Sequence, residues 1–168
     1  MTPSVSRDDI RAAAARIAPH IRRTPVWTLP HAFGHDGEVC LKLEFLQHAG
    51  SFKPRGAFNQ ILHLTPEQRA HGVVGVSGGN FAQALADAGR TLATPTMVCM
   101  PETAPKVSVQ ATRGYGATVE LAATFPEVFA RAEALRAAGA CLLHPFDNPH
   151  QMAGVGTIGL ECTKTCPR

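Results

Sequence analysis

The 168-residue sequence lacks the long apolar runs and the leader segments that mark membrane and secreted proteins. No apolar stretch approaches the roughly 20 residues that a membrane-spanning helix needs. The first nine residues are polar and include acid, whereas a secretion signal has a basic start and an apolar centre. We therefore expect a cytoplasmic protein with no membrane partner.

Charged residues are also scarce and scattered. They make up 17% of the chain, the formal net charge is only +3, and Arg22 with Arg23 is the nearest approach to a basic cluster. This pattern argues against nucleic acid as a partner and leaves open a mildly basic pocket for a small anion. With 45% hydrophobic residues, the chain can bury a core, and its length suits one domain or one domain plus part of another.

The cysteines do not form the even set that a disulfide framework requires. There are five, and no export signal accompanies them, so we expect free thiols. Cys40, Cys99 and Cys141 lie in apolar runs and are predicted to be buried. Cys162 and Cys166 have no matching Cys/His pair nearby, so the sequence predicts no zinc or other metal site.

What the chain does contain is a regular alternation of short β-rich runs with amphipathic stretches. The predicted strands are residues 39–43, 73–76, 96–100, 117–121 and 141–144. The predicted helices are residues 8–17, 55–64, 80–92, 106–113, 126–138 and a segment from 150 onward. Residues 24–37 are predicted to be irregular and extended. The alternation predicts an α/β fold with a parallel sheet and flanking helices.

The first candidate site is the segment Ser-Phe-Lys-Pro-Arg-Gly at residues 51–56. Pro54 suits the first turn of a helix and disfavours a helical conformation at Lys53, which we therefore predict to be extended. Partial burial beside Phe52 would lower the pKa of the amine and suit it to Schiff-base chemistry. The alternative is a solvated lysine, the commoner state of this residue.

The second candidate site is the turn formed by Ser77, Gly78, Gly79 and Asn80, here called the glycine turn. It follows a predicted strand and opens a predicted helix, so its backbone N–H groups can bind a carboxylate or phosphate. Alternatively, Ser77 or Asn80 simply caps the helix. The glycine spacing fits neither the dinucleotide-binding nor the Walker pattern.

Four segments in order resemble the serine/threonine dehydratase family. They are residues 41–57, the glycine turn, residues 100–106 and residues 153–161. The last resembles an A-G-Q-G-T-x-x-x-E segment of that family. The family is dependent on pyridoxal phosphate (PLP) and has fold type II, the tryptophan-synthase-β-like fold, so the resemblance implies this fold and this cofactor.

The resemblance also implies roles for single residues. Lys53 would form the Schiff base with PLP and act as the base, Phe52 would pack on the pyridine ring, and Asn80 would bind the ring hydroxyl. The glycine turn would hold the substrate carboxylate. The implied reaction is that of an ammonia-lyase, which converts serine or threonine to a 2-oxo acid and ammonia.

Several positions depart from the family pattern. Ala49 stands where threonine is usual, Pro54 where an aliphatic residue is common, Phe81 where histidine is frequent, and Val155 where glutamine is common. Gly78 occupies the position at which serine racemases of the group place a second base. The resemblance therefore implies dehydration rather than racemisation.

The resemblance covers the N-terminal portion of the family, and we expect the C-terminal half, with its phosphate-binding loop, to be missing. Residues 1–50 and 149–168 are predicted to be pieces of the large domain, and residues 51–148 the small domain. Three alternatives remain: a truncated inactive fragment, a PLP enzyme that catalyses β-replacement, and a small binding module. Family members are usually homodimers, but the large domain supplies most of that interface, so we do not predict a dimer here.

Overall fold

The computed structural model describes residues 5–34 and 36–165. The helices within these ranges are α1 (Arg7–Ile17), α2 (Lys53–Ile61), α3 (Pro66–His71), α4 (Asn80–Thr91), α5 (Lys106–Gly114), α6 (Phe125–Ala137) and α7 (Pro149–Thr165). The strands are β1 (Val26–Pro30), β2 (Glu38–Lys42), β3 (Val73–Val76), β4 (Thr96–Pro101), β5 (Thr118–Ala122) and β6 (Cys141–Leu143). None of these helices is long and apolar enough to cross a bilayer.

Four strands form a parallel sheet in the order β5-β4-β3-β6. The predicted α/β class is thus confirmed. Side chains on both faces of the central strands are buried, as expected when helices cover a parallel sheet on both sides. In β3, Val73 belongs to one core cluster and Val74 to the other.

The two faces differ in the helices that cover them. One face packs on α2 and α4 through a core that includes Phe58, Phe81 and Leu85. The other face packs on α6, where Val128 and Ala132 are buried. The crossover helices therefore leave the carboxyl ends of the strands as an open edge, the usual place for a ligand in such folds.

A second, smaller sheet contradicts the sequence prediction for residues 24–37. Val26–Pro30 forms β1, which pairs antiparallel with β2, so the prediction of an irregular stretch there was wrong. The strand has no clear sequence signal because Pro25 precedes it and Pro30 is its last residue, and prolines suggest a break. Non-local pairing with β2 supplies the hydrogen bonds.

The prediction for the backbone of Lys53 was also wrong. Lys53 is the first residue of α2, and Pro54 is the second, in the first turn where its missing N–H is not needed. The bias against helix before proline is only a preference, and packing of α2 against α4 and α7 overcomes it.

The cysteines partly follow expectation. Cys40, Cys99, Cys141 and Cys162 are free thiols, whereas Cys166 lies outside the described residues. Only Cys99 is fully buried; Cys40 and Cys141 are half-buried, so their predicted burial was too strong. Both lie on edge strands of their sheets, where one side of the strand has no neighbouring strand in the part of the chain described.

Candidate active site

The carboxyl ends of β3, β4 and β6 meet at one edge of the parallel sheet. The glycine turn follows β3, Pro101 ends β4, and residues 144–146 follow β6. A cavity of about 560 Å³ opens here, and we call it the sheet-edge cavity. It is lined by Val76, Ser77, Gly78, Pro101, Phe125, Phe129, Ala130, Ala132, Glu133, Leu142, Leu143, His144, Pro145 and Phe146.

Lys53 lines a second cavity of about 420 Å³, the lysine cavity. Its Nζ donates a hydrogen bond to the carbonyl oxygen of Pro145 at 2.7 Å and lies 5.1 Å from the centroid of the Phe52 ring. Partial burial lowers the pKa of this amine, because a less hydrated site disfavours the charged form. The structure thus agrees with the predicted direction of the pKa shift, and the Lys53 amine is partly buried rather than fully solvated.

The lysine cavity is walled by the start of α2, the loop after β6 and the first turns of α7. Its lining residues are Phe52, Lys53, Pro145, Phe146, Gln151, Met152, Val155 and Gly156. Pro145 and Phe146 also line the sheet-edge cavity. The two cavities therefore adjoin at Pro145 and Phe146; Lys53 lines one of them, and Ser77 and Gly78 line the other.

The glycine turn presents a helix start without a side-chain cap. Gly79 is the N-cap residue of α4, and no side chain accepts a hydrogen bond from the first turn among the described residues. Ser77 Oγ instead accepts from the N–H of Gly79 at 3.3 Å, and Asn80 is the exposed first residue of α4. Because neither Ser77 nor Asn80 caps the helix, its first N–H groups are available to an anion.

A buried ion network fixes α2 two residues after Lys53. The side chain of Arg55 is fully buried, and it donates to Glu44 at 2.7 and 2.8 Å and to Glu161 at 2.7 and 3.2 Å. Lys42 Nζ also contacts Glu161 at 2.5 Å. The network thus joins segments of the chain around β2, α2 and α7.

The pKa values of two network members follow from these contacts. For Glu161, burial alone would raise the pKa, but hydrogen bonds from Arg55 and Lys42 outweigh it and the net shift is downward. For Arg55, burial would lower the pKa, and the hydrogen bonds and charges of Glu44 and Glu161 raise it overall. Arg55 and Glu161 are therefore both held in their charged forms.

Close backbone contact between α2 and α7 completes the frame. A Cβ atom at Gly154 would overlap the carbonyl oxygen of Arg55 and lie 2.8 Å from Gly56 Cα. A Cβ atom at Gly56 would overlap the side chain of Gln151. Glycine at both positions lets the two helices approach closely, which places the first turns of α7 beside Lys53.

Sequence reasoning missed several residues of this site. Arg55 lies in the first candidate segment, residues 51–56, but no local sequence pattern indicated that Glu44 and Glu161 would be its partners. The Pro145 carbonyl and Gln151 gave no signal either, since a backbone acceptor and a single helical glutamine have no sequence signature.

Comparison with known proteins identifies the family to which the chain belongs. Residues 17–168 match the family described as "Pyridoxal-phosphate dependent enzyme".

The chain belongs to the pyridoxal-phosphate-dependent enzymes.

It is 46% identical over 161 residues to the "L-threonine dehydratase catabolic TdcB" of Staphylococcus aureus, covering 94% of this chain and 46% of that protein. The chain thus spans about half the length of the curated relatives it matches.

Solved structures show the same fold. Maize serine racemase superimposes with a TM-score of 0.92 at 33% identity, covering 99% of this chain and 51% of that chain. A threonine deaminase from T.th. superimposes with a TM-score of 0.86 at 40% identity, covering 95% of this chain and 51% of that chain. The predicted family, fold type II and the PLP dependence of the family are confirmed.

The residues of this site fit the family's cofactor. PLP presents an aldehyde, an aromatic ring and anionic oxygens. The half-buried amine of Lys53 matches the aldehyde, because burial lowers its pKa. The aromatic ring of Phe52 lies beside that amine, and the uncapped start of α4 offers N–H donors to an anion. The described residues therefore include a suitable partner for the aldehyde and for the aromatic ring of the cofactor, and a site for one anionic group.

Proposed function

We propose that this chain carries the lysine-bearing part of a PLP-dependent serine/threonine dehydratase, an ammonia-lyase. The observation that carries the proposal is that the cavity lined by Lys53 and the cavity lined by Ser77 and Gly78 adjoin at Pro145 and Phe146. The named activity of the Staphylococcus aureus relative supports the choice of reaction. The substrate would be a small amino acid with a β-hydroxyl group.

Lys53 has two roles in this proposal. Its amine would hold the cofactor, and this is easier for an amine whose pKa burial has lowered, because more of it is unprotonated near neutral pH. When bound, PLP supplies an electron sink for the carbon that bears the amino group. Lys53 Nζ, once released from the cofactor by the substrate, would accept the proton from that carbon.

The glycine turn would orient the substrate. The N–H groups at the start of α4 would bind its carboxylate, and the Ser77 hydroxyl would add a further donor. Asn80 would bind the ring hydroxyl of the cofactor, and Phe52 would pack on the ring. Lys53 Nζ would then return the accepted proton to the β-hydroxyl, which would leave as water, and hydrolysis of the remaining unsaturated amine would give the 2-oxo acid and ammonia.

Gly78 favours dehydration over racemisation. A racemase needs a second acid–base group on the opposite face of the substrate, and Gly78 has no side chain to provide one. The neighbours of a Cβ atom built at Gly78 are apolar, Ala104 at 3.4 Å and Pro101 at 3.7 Å. They do not replace the missing base, so we propose a dehydratase although serine racemases are structural neighbours.

The predicted domain division is also part of the proposal. Residues 51–148 would be the small domain, since they contain all four strands of the parallel sheet. Residues 1–50 and 149–168 would belong to the large domain, which agrees with the packing of α1 on α7. An inactive fragment and a PLP enzyme of β-replacement are the competing outcomes.

The test begins with the location of the cofactor bond. The full chain is incubated with PLP and reduced with borohydride, and the pyridoxyl group is located by peptide mass spectrometry. We expect the adduct on Lys53 and its loss in Lys53→Ala, with Lys164→Ala as the matched control because Lys164 is exposed on α7. Adducts spread evenly over the lysines would refute the proposed site.

The reaction is tested separately. The full chain with PLP, not reduced, is assayed with serine and with threonine for 2-oxo acid and for ammonia, and with each L-amino acid for the D-enantiomer. Oxo acid from the wild type and none from Lys53→Ala supports the dehydratase. Specific labelling of Lys53 without production of oxo acid would support the cofactor site but would favour the inactive fragment or the β-replacement enzyme over the dehydratase.

A further inference from the structure

Gln151 is a buried amide with an unused donor. Its side chain is 1% exposed, and its Nε2 atom has no hydrogen-bond acceptor within the part of the chain that the structure describes. Buried donors in folded proteins are almost always paired, because an unpaired one keeps the cost of its lost hydration. A donor left free in the ligand-free chain therefore calls for a partner.

The orientation of this amide is fixed by its neighbours. Gln60 accepts a hydrogen bond from the backbone N–H of His144 at 3.3 Å and donates to the carbonyl oxygen of His144 at 3.1 Å. Since a backbone N–H only donates and a carbonyl only accepts, the Gln60 amide can point only one way. Its Nε2 then donates to Gln151 Oε1 at 2.7 Å, which leaves the Gln151 Nε2 as the free donor.

The location of Gln151 points to its ligand. The residue lines the lysine cavity together with Lys53. Its side chain rests on Gly56, where a Cβ atom would collide with it, so it lies one helical turn from the reactive lysine. The other side chains that α7 contributes to this cavity, Met152 and Val155, are apolar.

A purely structural role accounts for only half of this amide. Gln151 Oε1 accepts from the buried Gln60 Nε2 at 2.7 Å, whereas Gln151 Nε2 has no acceptor among the described residues. Position 155, where the resembled family commonly has glutamine, is valine in this chain. Residue 151 lies one turn earlier on the same helix face, and Gln151 and Val155 both line the lysine cavity.

We propose that Gln151 is a ligand-binding residue of the lysine cavity, whose Nε2 donates a hydrogen bond to an oxygen atom of the PLP held at Lys53. This inference rests on the proposed function, because it needs the cofactor at that lysine. The Gln60–His144 contacts hold the amide in the donating orientation before the cofactor arrives. The cofactor oxygen thus satisfies a donor that is already in place.

Two substitutions separate the donor from the packing. Gln151→Glu keeps an acceptor for Gln60 but replaces the donor by an acceptor-only oxygen and adds a negative charge, whereas Gln151→Met keeps the approximate volume without polar atoms. The matched control is Gln83→Met, a partly buried glutamine on α4 that contacts Ser108. For each protein, PLP binding is followed by absorbance titration, the Lys53 adduct by mass spectrometry, and the free chain by thermal melting.

We expect about tenfold weaker PLP binding in Gln151→Met, as one lost hydrogen bond implies, a loss at least as large in Gln151→Glu, whose carboxylate repels the cofactor oxygen, and no such loss in the control. We also expect Gln151→Met without PLP to melt lower than the wild type, because the buried Gln60 Nε2 loses the acceptor Gln151 Oε1; the melt of each free variant shows whether it is folded before PLP is added. Unchanged PLP binding in Gln151→Met with normal Lys53 labelling would overturn this inference alone. Absence of a Lys53 adduct in the wild type would overturn the proposed function, and this inference with it.

Discussion

Replacing Arg55 by methionine tests whether the ion network holds the site together. The guanidinium is fully buried, and its removal leaves Glu44 and Glu161 largely buried, at 12% and 18% side-chain exposure. Breaking a buried pair from one side typically costs about 3–5 kcal/mol, because the remaining charge loses its partner. The whole free energy of unfolding of a domain is about 5–15 kcal/mol, so Arg55→Met should lose a large part of it.

Urea denaturation of the full chain measures this loss at neutral pH. The matched control is Arg136→Met, because Arg136 pairs with Glu133 on the surface of α6 at roughly half exposure on both sides. Exposed pairs contribute little, and we expect no measurable change there. The double variant Arg55→Met/Glu44→Gln should recover part of the loss, since it also removes one unpaired carboxylate.

The acid side of the stability curve gives an independent measurement. The pKa of Glu161 is lowered in the folded chain, so its contribution is present above about pH 4.3, the ordinary value for glutamate. It is lost as the pH falls through the lower folded value. In Arg55→Met this loss should shrink, because Lys42 alone then offsets the burial of the Glu161 carboxylate. A cost below about 1 kcal/mol, or a double variant no more stable than the single one, would refute the reasoning.

Packing and burial give three further predictions. Gly154→Ala should lower the free energy of unfolding by about 1–3 kcal/mol, because its Cβ atom would overlap the α2 backbone. Gly159→Ala, which has open space around the new Cβ atom, should raise it by about 0.5–1 kcal/mol. Urea unfolding of both variants measures the difference. Cys99, whose pKa burial and nearby negative charge raise to about 11, should react with a thiol reagent at pH 8 more slowly than Cys162. Lys53 should be acetylated at lower pH than exposed Lys164, as peptide mass spectrometry can show.

The parallel sheet was predictable because its signals are local. Each strand from β3 to β6 is a short apolar run, and a helical pattern follows it along the chain. The structure extends or trims these strands by only a residue or two. The sequence also named Lys53 and the glycine turn, because a lysine before proline and paired glycines after a strand are both visible without knowledge of the fold.

Elements that depend on distant contacts were not predictable in the same way. β1 exists through its pairing with β2, and Lys53 is helical because α2 packs on other helices. The helix α3 is a different case, since its capping box of Thr65 and Gln68 with Pro66 between them was present in the sequence. That signal was overlooked, whereas the pairing of β1 had no local signal to find.

The ion network links the pieces into which the sequence divides the chain. Arg55 lies in the segment 51–148, whereas its partner Glu44 comes from residues 1–50 and its partner Glu161 from residues 149–168. A fragment limited to residues 51–148 would contain the whole parallel sheet and Lys53 but would leave the Arg55 guanidinium with neither carboxylate. The position of Lys53 therefore depends on residues outside the sheet domain, and the reactive amine belongs to the junction between β2, α2 and α7 rather than to the sheet alone.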